Sequence, residues 1–346
     1  VDFTQERVVA YEPHPGEPPA SDALEVEILG KQRRRLINSL VVYVVLGAVL
    51  LVLNPDVVSF SLVGVLGVVT LLVLWALVFR LRPARKLLHY PAVLLTPGQG
   101  QLLVKGSTVS VALPGPEPRW VVVRLPRSKR ILLAGTRRMY LIGPDPRGRV
   151  MVALPGGITG RFGRVRPAPA TGSAEPVVPS RHLVPAAQDP VVTAFMREVW
   201  ARAVAIVVVL VVVAAGVWAV GSTAFDGHAT GTPMTVLAVV YVVLALTIPL
   251  RTAGLAAAVR SQHWQELYAE LYTAIEPGAT GGSGKAEGRV LLADGEAKVR
   301  FTRQPLDLLV NIRASGRLWV LGTPQRGKRV VVGLPGYPVL GLVKLG

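Results

Sequence analysis

Four stretches of the chain, 36–53, 60–79, 203–220 and 235–250, are apolar without a single Lys, Arg, Asp or Glu. Each comes near the ~20 residues of helix that carry a backbone across a hydrocarbon core, once flanking Ser, Trp and Tyr are counted. A soluble core built by a chain of this size has little room to hide four such helices, so the pattern predicts two transmembrane hairpins. Outside these stretches the period changes to two. Short alternating or β-branched runs separated by Gly, Pro and Asp predict strands at 101–104, 108–112, 120–124, 130–133, 139–142 and 150–153. A second set is predicted at 289–292, 297–301, 306–312, 318–321 and 330–332. Sets of that size suit a small barrel or sandwich, whose closure protects the strand edges.

The two sets echo each other. Arg138-Met139-Tyr140-Leu141-Ile142-Gly143 is answered by Arg317-Leu318-Trp319-Val320-Leu321-Gly322, and Leu154-Pro155-Gly156 by Leu334-Pro335-Gly336. Each string follows one of the predicted hairpins, so the chain reads as two copies of hairpin plus β module. The expected fold class is an α+β integral membrane protein with four transmembrane helices in two hairpins, each followed by a small all-β, barrel- or sandwich-like cytoplasmic domain, with internal duplication. Its expected segments are 1–35, a cytoplasmic N-terminal segment; 36–79, the first hairpin; 80–166, a basic β domain; and 167–188, a Pro/Ala-rich linker. They continue as 189–250, a helix begun by Asp189 and Pro190 that runs into the second hairpin; 251–276, an amphipathic helix striped by Trp264, Leu267, Tyr268, Leu271 and Tyr272; 277–288, a Gly-rich linker; and 289–346, the second β domain. In architecture alone this plan resembles bacterial membrane proteins that carry pleckstrin-like domains after paired spans. That resemblance implies an assembly or interaction module and carries over no site residue.

Charge sets the direction. Lys31, Arg33, Arg34 and Arg35 precede the first apolar run and Arg80, Arg82, Arg85 and Lys86 follow the second, while the connectors 54–59 and 221–234 hold no Lys or Arg. By the positive-inside rule both termini and the middle segment are expected in the cytoplasm of a multi-pass protein of the inner (plasma) membrane. The whole chain carries 38 Lys and Arg against 21 Asp and Glu, and no cysteine, which removes disulfides, thiolate metal sites and cysteine nucleophiles together.

The charge is uneven. Between Arg80 and Ala170 there are 17 basic residues and two acids, Glu117 and Asp145, whereas from Arg251 onward the count is 13 against seven. Arg124, Arg127, Lys129, Arg130, Arg137 and Arg138 form the densest basic cluster and the candidate site for anionic inner-leaflet phospholipid or a protein partner. Nucleic acid is disfavoured, because no aromatic residue is interleaved with that cluster along the chain.

The five histidines show no metal-ligand spacing, the Gly-rich stretches lack a phosphate-loop Lys-Ser or Lys-Thr, and no Gly-x-Ser-x-Gly elbow occurs. Catalysis, metal and cofactor are therefore not expected. The expected role is that of a non-enzymatic membrane-anchored scaffold or regulator, able to form homo-oligomers, with a membrane or cytoplasmic protein or anionic lipid as partner. The alternatives are an accessory subunit of a transporter, secretion or envelope-synthesis complex, and, behind it, a transporter.

Overall fold

The computed structural model describes residues 10–53, 77–98, 100–170, 172–174, 184–224, 252–260, 263–278 and 282–346, with isolated positions between 66 and 75 and between 239 and 245. Two antiparallel sheets dominate. The first comprises β1 (Ala92–Leu95), β2 (Leu102–Lys105), β3 (Thr108–Leu113), β4 (Arg119–Arg124), β5 (Met139–Ile142), β6 (Arg149–Ala153), β7 (Arg161–Arg166) and β8 (Ser173–Ala174), in the order β1-β5-β6-β7-β4-β3-β2-β8. The second comprises β9 (Trp264–Leu271), β10 (Glu276–Pro277), β11 (Ser283–Leu292), β12 (Gly295–Pro305), β13 (Arg317–Leu321), β14 (Arg329–Gly333) and β15 (Leu340–Lys344), in the order β10-β11-β9-β13-β14-β15 with β12 on β11.

The helices are α1 (Ala23–Leu53), α2 (Arg82–Leu87), α3 (Arg127–Thr136), α4 (Pro190–Ala224), α5 (252–260) and α6 (Leu306–Ser315), with a π-helical turn at Leu77–Leu81. Alternation within the strands places Val109 and Val111 of β3, Val121 and Val123 of β4 and Val150 and Val152 of β6 on one inner face. That face continues into Val290, Phe301, Leu308, Leu309, Val320 and Val332 of the second half, so one core joins both sheets.

Several expectations are corrected. Among the described residues one helical stretch, Pro190–Gly216, is long and apolar enough to cross a membrane, so the four-span, multi-pass inner-membrane architecture with cytoplasmic termini is not what the structure supports. The chain is mixed α and β, and largely antiparallel sheet. Hydropathy reports that a segment avoids water, and that alone does not count crossings. The run at 36–53 is the distal part of α1, whose first half carries Glu25, Glu27, Lys31 and Arg33 to Arg35. Half of 60–79, most of 235–250, the connector 54–59 and most of the connector 221–234 lie outside the described residues.

The duplication of hairpin plus module is corrected with it. The sheets hold eight and seven strands in different orders, and the echoed strings fall on β5 and β13 as a local likeness of helix followed by antiparallel strands. Residues 130–133 and 306–312 lie in helices α3 and α6, not strands. Each helix starts after a proline, Pro126 or Pro305, and stops at a left-handed residue, Arg137 (φ 48°) or Gly316 (φ 67°), whose N–H returns to Leu133 O or Ile312 O at 2.8 Å. The helical stripe from Trp264 is strand β9, because it pairs on one side with β11 and on the other with β13, and two ladders outweigh a local period.

An N-terminal strap ties the halves together. Tyr11 N–H donates to Asn311 Oδ1 of α6 at 2.7 Å, Gly156 N–H donates to Tyr11 O at 2.8 Å, and Asn311 Nδ2 donates to Gly156 O at 2.9 Å. Asp307 Oδ1 accepts Ile158 N–H at 2.9 Å across the same junction.

Candidate anion-binding surface

The six cations of the predicted cluster do not assemble into one patch. Arg124 ends β4 and Arg127 opens α3, and both are exposed. Lys129 is half-buried; burial pushes its amine below the usual lysine range, Asp307 and Glu198 oppose that, and Arg161 and Arg202 reinforce it. Arg130 holds a buried Nε without a hydrogen-bond partner, and Arg137 closes α3 in the left-handed conformation. Arg138 turns away to pair with Glu12 at 2.8 Å, and the same carboxylate accepts the Tyr140 hydroxyl. Burial, then the Glu12 hydrogen bond, raises the Tyr140 phenol well above its ordinary range.

The base of α4 braces this region. Asp189 caps the helix, Oδ1 accepting Val191 N–H at 2.8 Å, while Oδ2 accepts Gly336 N–H of the second half at 2.8 Å. About two and a half turns on, Glu198 accepts Ser128 N–H at 2.8 Å and Ser128 Oγ–H at 2.9 Å, capping α3 from outside. Thus α4 is fixed to both sheets at one end, and further along it exposes Val204, Ile206, Val208, Val209, Val211 and Val212.

A basic surface does form, on the outer face of the first sheet. Because Val150 and Val152 point inward, Arg149 and Met151 point outward on β6; the ladder then puts Phe162 and Arg164 of β7 on the same outer side, opposite Met151 and Arg149. Beyond β7, Trp120 lies opposite Arg166 and Val122 opposite Arg164, and Arg124 follows on that side of β4. Among the described residues none of Arg124, Arg149, Arg164 and Arg166 makes an ion pair. The nearby acids are occupied: Glu117 pairs with Arg119 at 2.6 Å, and Asp145 Oδ1 accepts Arg147 N–H at 2.9 Å and Arg149 N–H at 2.7 Å.

The second sheet is mixed: among the described residues Arg329 of β14 lies opposite Lys344 of β15 with no ion pair, as Arg149 lies opposite Arg164, but three other arginines are answered by glutamates. Arg289 sits in register with Glu270 and pairs with it at 2.7 Å, Arg300 is in register with Glu287 and pairs at 2.7 Å, and Arg317 reaches Glu266 at 2.7 Å. Opposite charges across a ladder stabilise and like charges directly opposite destabilise, each on the order of 0.2–1 kcal/mol. Arg149 directly opposite Arg164 is thus a small standing cost, which a bound anion would remove.

The sequence missed this surface because its members are separated along the chain and meet only across β4, β7 and β6. The signal that was present is the alternation Arg-Phe-Gly-Arg-Val-Arg at 161–166, whose polarity hides a strand. An open groove of about 570 Å³ lies at one end of the face, lined by Arg119, Arg166, the acids Glu117 and Asp145, and four prolines. Comparison with known proteins finds no matching family model, no matching curated protein and no matching solved structure.

Proposed function

We propose that this chain is a non-enzymatic scaffold held at a membrane by α4, with the outer face of its first sheet as a binding surface for an anionic partner. The observation that carries the reading is the state of α4. Its most apolar stretch has mean hydropathy 2.5 and only 12% of it is buried, whereas the core helix of a soluble protein is mostly buried. Leaving that much contiguous apolar surface in water favours lipid or another apolar surface as its environment. Asp189 and Glu198 clamp the base of the helix to both halves, so whatever holds α4 positions the sheets as well.

The chain has no cysteine, so a single Val209→Cys variant takes one nitroxide label at a site 59% exposed in the isolated chain. In full-length protein reconstituted into nanodiscs, that label is expected to be accessible to oxygen and shielded from a water-soluble nickel relaxant. Strong relaxation by the nickel reagent, equal to that of a label on an exposed strand, would refute the anchored reading.

A further inference from the structure

We infer that the outer face of β6, β7 and β4 docks onto the anionic lipid headgroups of the membrane that α4 enters, with Arg124, Arg149, Arg164 and Arg166 facing the phosphates. This rests on the anchored reading above and names the partner of that face. Three observations carry it.

The first is charge complementarity. Four arginines share one side of three adjacent strands without an ion pair, Arg149 and Arg164 directly opposite in the ladder; the second sheet answers Arg289, Arg300 and Arg317 each with a glutamate and leaves Arg329 opposite Lys344. An anionic leaflet attracts such residues individually and needs no one of them in a fixed geometry.

The second is the kind of apolar group between the cations. Half-buried Trp120 and partly exposed Phe162 lie among the arginines, and an amphipathic Trp ring beside basic residues is the composition of a membrane–water interface. A single-strand nucleic-acid platform needs open ring faces for base stacking, which a half-buried Trp120 offers poorly.

The third is continuity with an apolar, aromatic-ended segment. Leu87 of α2 packs on Ile142 and Met151, which places α2 on this same outer side of the sheet, and its Arg82, Arg85 and Lys86 are exposed. Immediately before α2, Trp75 and Phe79 are both exposed with ring centroids 6.1 Å apart. An exposed aromatic pair beside exposed cations, next to a basic sheet face, is the composition of a surface lying at the headgroup level. A soluble acidic partner or a nucleic acid gives no reason for the exposed aromatic pair.

The test uses the full chain in nanodiscs with an environment-sensitive fluorophore on Thr108→Cys, which lies opposite Arg124 at the margin of the face. In discs containing phosphatidylglycerol the emission is expected to shift to the blue and lose access to an aqueous quencher. In pure phosphatidylcholine, or in molar salt, it is expected to stay water-like. Arg164→Glu with Arg166→Glu is expected to lower the docked-to-free ratio roughly tenfold or more, and Lys298→Glu on β12 to leave it unchanged. A Thr108 probe equally exposed in both lipids, while the Val209 label remains in lipid, overturns the docking and leaves the anchor standing. A Val209 label in water overturns the anchor itself. Protection of the Thr108 probe by a single-stranded oligonucleotide but not by anionic lipid would also overturn the inference, in favour of nucleic acid.

Discussion

Glu25 sits in the first turn of α1 and is 8% exposed, yet the charge that acts on it is that of another carboxylate, Asp22. Asp22 is itself engaged, accepting Leu24 N–H at 2.8 Å and the Tyr11 hydroxyl at 3.1 Å. Burial first, and the Asp22 charge second, raise the Glu25 carboxyl from 4.5 to about 8. A helix N-terminus favours a carboxylate by about 0.3–1 kcal/mol. At ~1.4 kcal/mol for each pH unit, the raised value represents an upper limit of about 5 kcal/mol, so desolvation wins. In the unfolded chain Glu25 ionises near 4.5, whereas in the fold it keeps its proton until about 8. Between those values the unfolded state binds fewer protons, so this residue makes stability decline as pH rises from about 4.5 to about 8, and the loss is level above that. Glu25→Gln removes the titration with little change of shape. The variant is expected to match the parent near pH 4 and to exceed it by a few kcal/mol at pH 8, read as melting midpoint and as amide exchange in the first two turns of α1. Parallel pH profiles for parent and variant from pH 4 to 9 would refute the reasoning.

Three further outcomes are expected. Gly156→Ala places a Cβ 2.6 Å from the Tyr337 ring at a φ of +77°, and should cost about 1–3 kcal/mol by denaturant midpoint. Asn311→Ala removes the acceptor of Tyr11 N–H and a donor to Gly156 O at a site 2% exposed; a loss of about 1–3 kcal/mol should appear together with faster proteolysis in residues 10–17. Glu198→Ala uncaps α3, and an effect of about 1–2 kcal/mol should register as faster exchange at Ser128, without change at the second sheet.

The sequence by itself determined whatever depends on neighbours within one element. Period-two alternation located β3, β4 and β6, and the Asp189–Pro190 start marked the beginning of α4. Tertiary structure decided the rest. The apolar runs 130–133 and 306–312 suit helix or strand equally, and the left-handed stops at Arg137 and Gly316 with the packing of Leu132, Leu133, Leu308 and Leu309 into the shared core resolved them. The Trp264 stripe became a strand because partners on both sides needed its backbone. Density of Arg and Lys along the chain pointed at 124–138, but a strand end, a helix and a left-handed turn point those side chains in different directions, and Glu12 neutralises Arg138. The basic face is built instead from β4, β6 and β7, since a β-ladder makes neighbours of residues by register, and register is a non-local quantity that no window of the sequence contains.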